Sequence, residues 1–155
     1  MHVVDALKRF KFLPPEKLLE LYPPFLFMGV KVKSVSPDHR KLHVVLPLRW
    51  YGRNMYGTMF GGFMCAVTDP LPALLCGQIF PGHEVWTKAN FVEFLRPATS
   101  LLHIKIEITD ADVERIESEL SREGRSSPVF EFFFRDREGR DIAFCRNTVF
   151  IRRRK

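Results

Sequence analysis

The sequence predicts an α+β domain in which an antiparallel sheet wraps one long apolar helix, and three observations lead there. Asn54 to Phe80, NMYGTMFGGFMCAVTDPLPALLCGQIF, is the longest apolar run and contains one charged residue, Asp69. A helix apolar on almost every side has to be covered on almost every side. The segments flanking it alternate apolar and polar residues with the two-residue period of half-buried strands. Finally, 155 residues at 46% hydrophobic content, with no internal repeat or low-complexity linker, make one domain with a real core spanning 1–155.

The elements follow in order. Val3, Val4, Leu7 and Phe10 share one face of a short helix that Pro14 and Pro15 interrupt, and Glu16 to Tyr22 adds a turn or two before Pro23 and Pro24, so 1–24 reads as a helical lead-in. From Phe25 the period becomes two, with Val30 and Val32 set against Lys31 and Lys33. Ser36, Pro37 and Asp38 turn the chain into a second strand, Leu42 to Leu48. After the central helix, His83 and Glu84 open a long extended segment that ends at Phe94, before a turn at Arg96 and Pro97. Leu102, Ile104, Ile106 and Ile108 alternate against His103, Lys105, Glu107 and Thr109. An amphipathic helix with Val113, Ile116 and Leu120 on one face stops at Gly124. Val129 to Arg135 and Ile142 to Ile151 form a hairpin around Asp136 to Gly139, and 152–155 form a basic tail.

Composition excludes several classes. Three widely spaced cysteines, Cys65, Cys76 and Cys145, fit neither a disulfide framework nor a zinc site, which points to a reducing, cytoplasmic setting. MHVVDALKRFKF lacks the apolar core and cleavage site of a secretory signal, and Asp69 with two prolines argues against a membrane span over the central run. The net charge of +6 attracts anions of many kinds. Nucleic-acid binding would add aromatics interleaved with basic residues on one exposed face, whereas Phe130, Phe132 and Phe134 at strand spacing read as core or acyl-pocket lining. His103 is expected on a solvated strand face with no second histidine or acid at ligand spacing, so no metal is expected.

Asn54, Gly57, Thr58, Gly61, Gly62 and Asp69 together resemble the motif of hotdog-fold acyl-CoA thioesterases, especially the phenylacetate-pathway (PaaI-like) branch. There an Asn precedes a glycine pair at the start of the central helix and an acid follows two turns later. Phe94, Leu95, Arg96, Pro97 and Ala98 resemble that family's strand-ending segment. In element order the likeness spans roughly Phe25 to Ile151. Two departures stand out: Phe60 occupies the place of the usual His before the glycines, and Pro70 and Pro72 follow Asp69.

The resemblance implies hydrolysis of an acyl-CoA thioester without a separate cofactor, CoA being part of the substrate. Gly61 N–H, at a helix N-terminus, would polarise the carbonyl with help from the Asn54 amide, while Asp69 activates water or attacks. Thr87 stands where some relatives place a Ser that bonds the acid or its water. Gly62, Lys88, Arg96 and Arg152 are the candidate contacts for CoA, the cations for its phosphates. Gly61 and Asp69 are eight residues apart, roughly 12 Å along one helix. A single site therefore needs Gly61 of one subunit and Asp69 of another, hence a homodimer, with a tetramer of paired dimers also open.

Plainer readings stand beside these. Asp69 followed by Pro is also a helix-start signal, its carboxylate acting as a cap. Gly61 and Gly62 would also allow close packing, Asn54 would serve a turn, Thr87 would be an ordinary strand residue, and FPGH at Phe80 to His83, similar to a dehydratase motif, falls on the wrong side of the central helix for that chemistry. The Phe60 replacement also permits a protein that binds acyl thioesters or lipids without cleaving them, and a structural dimer is a third reading.

Overall fold

The computed structural model describes residues 15–154, so the helix expected over Val3 to Phe10 lies outside the described residues. Helices α1 (Pro15–Glu20) and α2 (Pro23–Met28) lead into the sheet. The two-residue period expected from Phe25 gives way to α2, because Pro23 and Pro24 occupy the first helical turn, where a missing N–H leaves no bond unmade. Gly29, at φ 73°, ends α2, and Phe25 and Met28 turn into the core. The buried Glu20 carboxylate then pins α1 to the next strand by accepting from Val32 N–H (3.0 Å) and Lys31 Nζ (3.2 Å).

Seven strands form one antiparallel sheet: β1 (Lys31–Val35), β2 (Lys41–Leu46), β3 (His83–Phe94), β4 (Leu102–Glu107), β5 (Arg125–Ser126), β6 (Val129–Arg135) and β7 (Asp141–Arg153). Their order is β1-β2-β4-β6-β7-β3, with β5 beside β7, so the twelve-residue β3 is an edge. Inward rows of Leu42, Val44 and Leu46, of Leu102, Ile104 and Ile106, and of Phe130, Phe132 and Phe134 are buried. This is the alternation read in the sequence, and it places the three phenylalanines in the core. Arg152 and Arg153, expected in a basic tail, are the last residues of β7 and pair with Glu84 and His83 of β3.

The central helix lies on the inner face in two pieces, α3 (Gly61–Thr68) and α4 (Leu71–Ile79), separated by Asp69 and Pro70. By length and composition Gly61–Ile79 would suffice to cross a membrane, yet here it rests on the sheet with Met64, Val67, Leu71, Leu75 and Cys76 buried. Its opposite side, including Ala66, Asp69 and Leu74, is exposed. Helix α5 (Asp110–Glu123) runs between β4 and β5 with Val113, Ile116 and Leu120 buried, worth about 1.5–3 kcal/mol each. Gly139, at φ 80°, shapes the β6–β7 turn, and the Asp136 carboxylate braces that turn by accepting from Glu138 N–H (3.1 Å) and Arg140 N–H (2.9 Å).

Candidate functional site

The start of α3 is held by a loop that organises itself. Asn54 Oδ1 accepts from the N–H groups of Tyr56 (2.9 Å) and Thr58 (3.2 Å), while Asn54 Nδ2 donates to Thr58 Oγ1 (2.8 Å). The Asn54 amide is thus engaged within its own loop, as the turn reading expects. Phe60 N–H donates to Gly52 O (2.8 Å) and Met59 N–H to Ala98 O (2.9 Å), which fixes where the helix begins. A Cβ at Gly61 would stand 2.9 Å from the Phe94 ring, and one at Gly62 would stand 2.3 Å from the Phe60 ring. Both glycines therefore let aromatic rings close on the helix. Their N–H groups lie in the first turn, where no carbonyl precedes them at helical spacing, and among the described residues neither donates a hydrogen bond.

The break between α3 and α4 has a definite cause. Pro70 and Pro72 lack the N–H groups that would bond Ala66 O and Thr68 O in a continuous helix. Side chains of the sheet supply donors to the end of α3 instead. Asn147 Nδ2 reaches Thr68 O and Asp69 O (3.3 Å each), Asn90 Nδ2 reaches Cys65 O (3.2 Å) and Thr68 Oγ1 (3.0 Å), and Thr87 Oγ1 donates to Asp69 O (2.5 Å). Asn147 is fully buried, and its Oδ1 has no partner among the described residues. Asn90 and Asn147 escaped the sequence reading. Their signal was an asparagine at an inward strand position, opposite a helix whose next turn carries prolines.

The cover expected on almost every side of this helix is incomplete. The Asp69 carboxylate is exposed, because the sheet covers only one side of the helix and the break turns Asp69 to the other. The capping alternative does not hold either, since Asp69 is the C-cap of α3, Pro70 holds the N-cap of α4, and neither cap makes a side-chain hydrogen bond. The Asp69 backbone is fixed while its carboxylate makes no hydrogen bond among the described residues. Thr87 serves the Asp69 carbonyl, not its carboxyl group.

The cations named for phosphate contacts are dispersed. Arg152 Nε pairs with Glu84 (2.7 Å) over the Trp86 ring, Arg96 donates to Asp141 O (2.5 Å), and Lys88 lies over the Phe150 ring. Lys88 also lines a cavity of about 490 Å³ with Arg122 and Arg125. Burial pushes the thiols of Cys76 and Cys145 up to about 12, as for unreactive apolar groups, while Cys65 is only half-buried. His103 does have a histidine beside it: His43 Nε2 and His103 Nδ1 are 3.0 Å apart across β2 and β4. Sixty residues separate them in the chain, so sequence spacing could not pair them.

A helix laid in an antiparallel sheet of this strand order, entered through a glycine pair and flanked by an open edge strand, defines a hotdog fold. The chain belongs to the family described as a domain of unknown function, DUF4442, which it matches over residues 16–151. No curated protein matches it. A solved Pseudomonas aeruginosa protein of unknown function, described as a probable thioesterase, is 18% identical, with 90% of this chain and 96% of that chain covered at a TM-score of 0.80. A Haemophilus influenzae thioesterase is 13% identical, covering 86% and 85% at 0.64. The Escherichia coli PaaI protein from the phenylacetic acid degradation operon is 14% identical, covering 99% and 97% at 0.66. Similarity at this level is one of fold.

Proposed function

We propose that the protein hydrolyses acyl-CoA thioesters as a homodimer. The observation that carries this reading is the helix break, where sheet side chains fix the Asp69 backbone and leave its carboxylate exposed and without a partner among the described residues. A carboxylate placed so is available as general base or nucleophile. The N–H of Gly61, unpaired among the described residues and at the positive end of α3, supplies the complementary donor for a developing oxyanion, with the Gly62 backbone beside it.

Neither group completes a site within one chain, being roughly 12 Å apart along the helix. The two cavities described in this structure are not lined by either of them. Beside the helix, β3 offers an edge unpaired among the described residues, with Trp86, Phe91 and Phe94 about half exposed, at 42%, 53% and 54%. A long apolar edge seeks a partner strand. Pairing of two copies there covers these side chains and brings Asp69 of one copy toward the glycine turn of the other. Lys88 and Arg152 near that edge, with Arg96 beyond the strand end, suit the phosphates of coenzyme A, and no other cofactor is required.

Thiol release from a panel of acyl-CoA esters, parent beside Asp69→Asn, tests the reading. Turnover by the parent that the variant loses supports it, and equal turnover in both removes Asp69 from the mechanism. Phe60 favours a second reading, since its half-exposed ring stands where the usual histidine would, beside Gly62. A parent that binds acyl-CoA and releases no thiol establishes that binding role instead.

A further inference from the structure

The outer face of the sheet, away from the helix, carries a cavity of about 460 Å³ lined by His43, His103, Lys105, Phe133 and Arg137. It lies where two strands part. The β4–β6 register comprises only His103↔Arg135 and Ile104↔Phe134, although β4 runs on to Glu107 and β6 begins at Val129. Past Ile104 the two strands have no ladder partner in each other, which leaves backbone polar groups at the split for a ligand or water.

Three carboxylates and three cations, Lys105, Arg135 and Arg137, border this split, but the carboxylates are engaged from outside it. Glu107, Glu131 and Asp136 border the cavity, but each is paired with a cation: Lys41 (2.9 Å), Arg146 (2.7 Å) and Arg140 (2.7 Å) respectively. Arg135 is paired with Asp141 (2.8 Å). Lys105 and Arg137 form no ion pair among the described residues. Burial, then His103, then Lys105 and Lys33 hold the His43 imidazole below its usual proton affinity. Two cations without an ion pair among the described residues and a histidine pair sharing a 3.0 Å contact thus meet in one recess.

We propose that this recess binds a small molecule bearing a tetrahedral oxyanion of the phosphate class. Lys105 and Arg137 supply the charge, and the His43–His103 pair supplies a donor whose strength grows on protonation. A metal cation fits less well, because it would face Lys33, Lys105 and Arg137, and among the described residues no cluster of three metal-binding side chains occurs. The linkage has a definite sign. An anion favours the protonated pair, so it raises that pair's proton affinity, and its own binding weakens as pH rises through the histidine range. The inference is independent of the thioesterase reading.

The test follows the histidine C2–H resonances through a pH titration in sodium chloride and in sodium sulfate at equal ionic strength, sulfate keeping its charge throughout. The expected result is an upward displacement of the pair by about one pH unit in sulfate, a tenfold effect. Lys105→Met combined with Arg137→Met, both on the surface, should abolish it while the resonances still report a folded protein. Calorimetry with inorganic phosphate and with glycerol 3-phosphate at pH 6 then separates a site for the free ion from one for a phosphomonoester. Coincident curves in the two salts overturn the proposal. Retention of Zn²⁺ by the pair without any sulfate response overturns it in favour of a two-histidine metal site.

Discussion

Helix α5 and the α3–α4 pair are held in place by opposite means. Helix α5 carries its instructions locally. Thr109 and Asp112 form a reciprocal capping box, Gly124 closes the last turn at φ 68°, and a polar face opposes Val113, Ile116 and Leu120. The α3–α4 pair has no side-chain cap at either junction and little segregation of polar from apolar residues. Its bend is set by prolines, and side chains distant in sequence brace it, Asn147 meeting the Thr68 carbonyl that Pro72 leaves without a donor and Asn90 adding a second donor to the Cys65 carbonyl. A self-specified helix makes good scaffolding. One that depends on the sheet for its end can expose a carboxylate there while its backbone stays fixed.

The sharpest way to press this contrast is Asp69→Asn. If the break exists to present that carboxylate, turnover of the acyl-CoA ester that the parent cleaves best should fall by about 10²- to 10⁴-fold, with melting temperature nearly unchanged because the side chain is exposed and unbonded. Loss of both together would mean that Asp69 holds the fold rather than the chemistry. No residue of α5 should give activity loss without a matching loss of stability.

Asn147→Ala attacks the dependence on the sheet. It removes the donor from Thr68 O and Asp69 O in a fully buried setting, so about 2–3 kcal/mol of stability should be lost. At roughly 2–4 °C per kcal/mol for a domain of this size, thermal unfolding should come on the order of 5–10 °C earlier. A variant as stable as the parent would show that the bend needs only Pro70 and Pro72. Thr109→Ala, the corresponding change in α5, should cost about 1 kcal/mol, since the cap is exposed and water replaces part of what it supplied.

The same contrast explains what the sequence could convey. The alternation of Leu102, Ile104 and Ile106, the face of α5 and the Asp136–Gly139 turn are properties of neighbouring residues, and each stands where it was expected. The glycine pair and Asp69 were legible as a motif at fixed spacing. The exposure of Asp69 was not, because burial there depends on how far the sheet extends on the other side of the helix. Asn147 and Asn90 stand 79 and 22 residues from Thr68, and only folding brings them together. His43 and His103 meet across a register that no local pattern encodes. Pro23 and Pro24 misled in the other direction, opening α2 where they read as a stop.

The smallest expected effect is one of pH and belongs to α5. Burial works against the Asp112 carboxylate, but the Thr109 hydroxyl, the Arg115 guanidinium and the Thr109 N–H outweigh it and hold its proton affinity below the ordinary aspartate value. A carboxyl group depressed in the folded state adds stability above its unfolded pKa and loses that contribution as pH falls through the lower, folded value. Asp112→Asn should therefore melt about 1–4 °C below the parent at pH 7, the loss of about 0.3–1 kcal/mol expected for a charge at a helix start. The gap should begin to close as the solution is acidified below about pH 4, where the unfolded parent chain takes up a proton at Asp112, and should go on closing until the folded carboxyl is protonated as well. A gap that stays constant from pH 7 to pH 3 would mean that side-chain shape and not charge sustains the cap, and the local specification of α5 would then rest on Thr109 and Gly124.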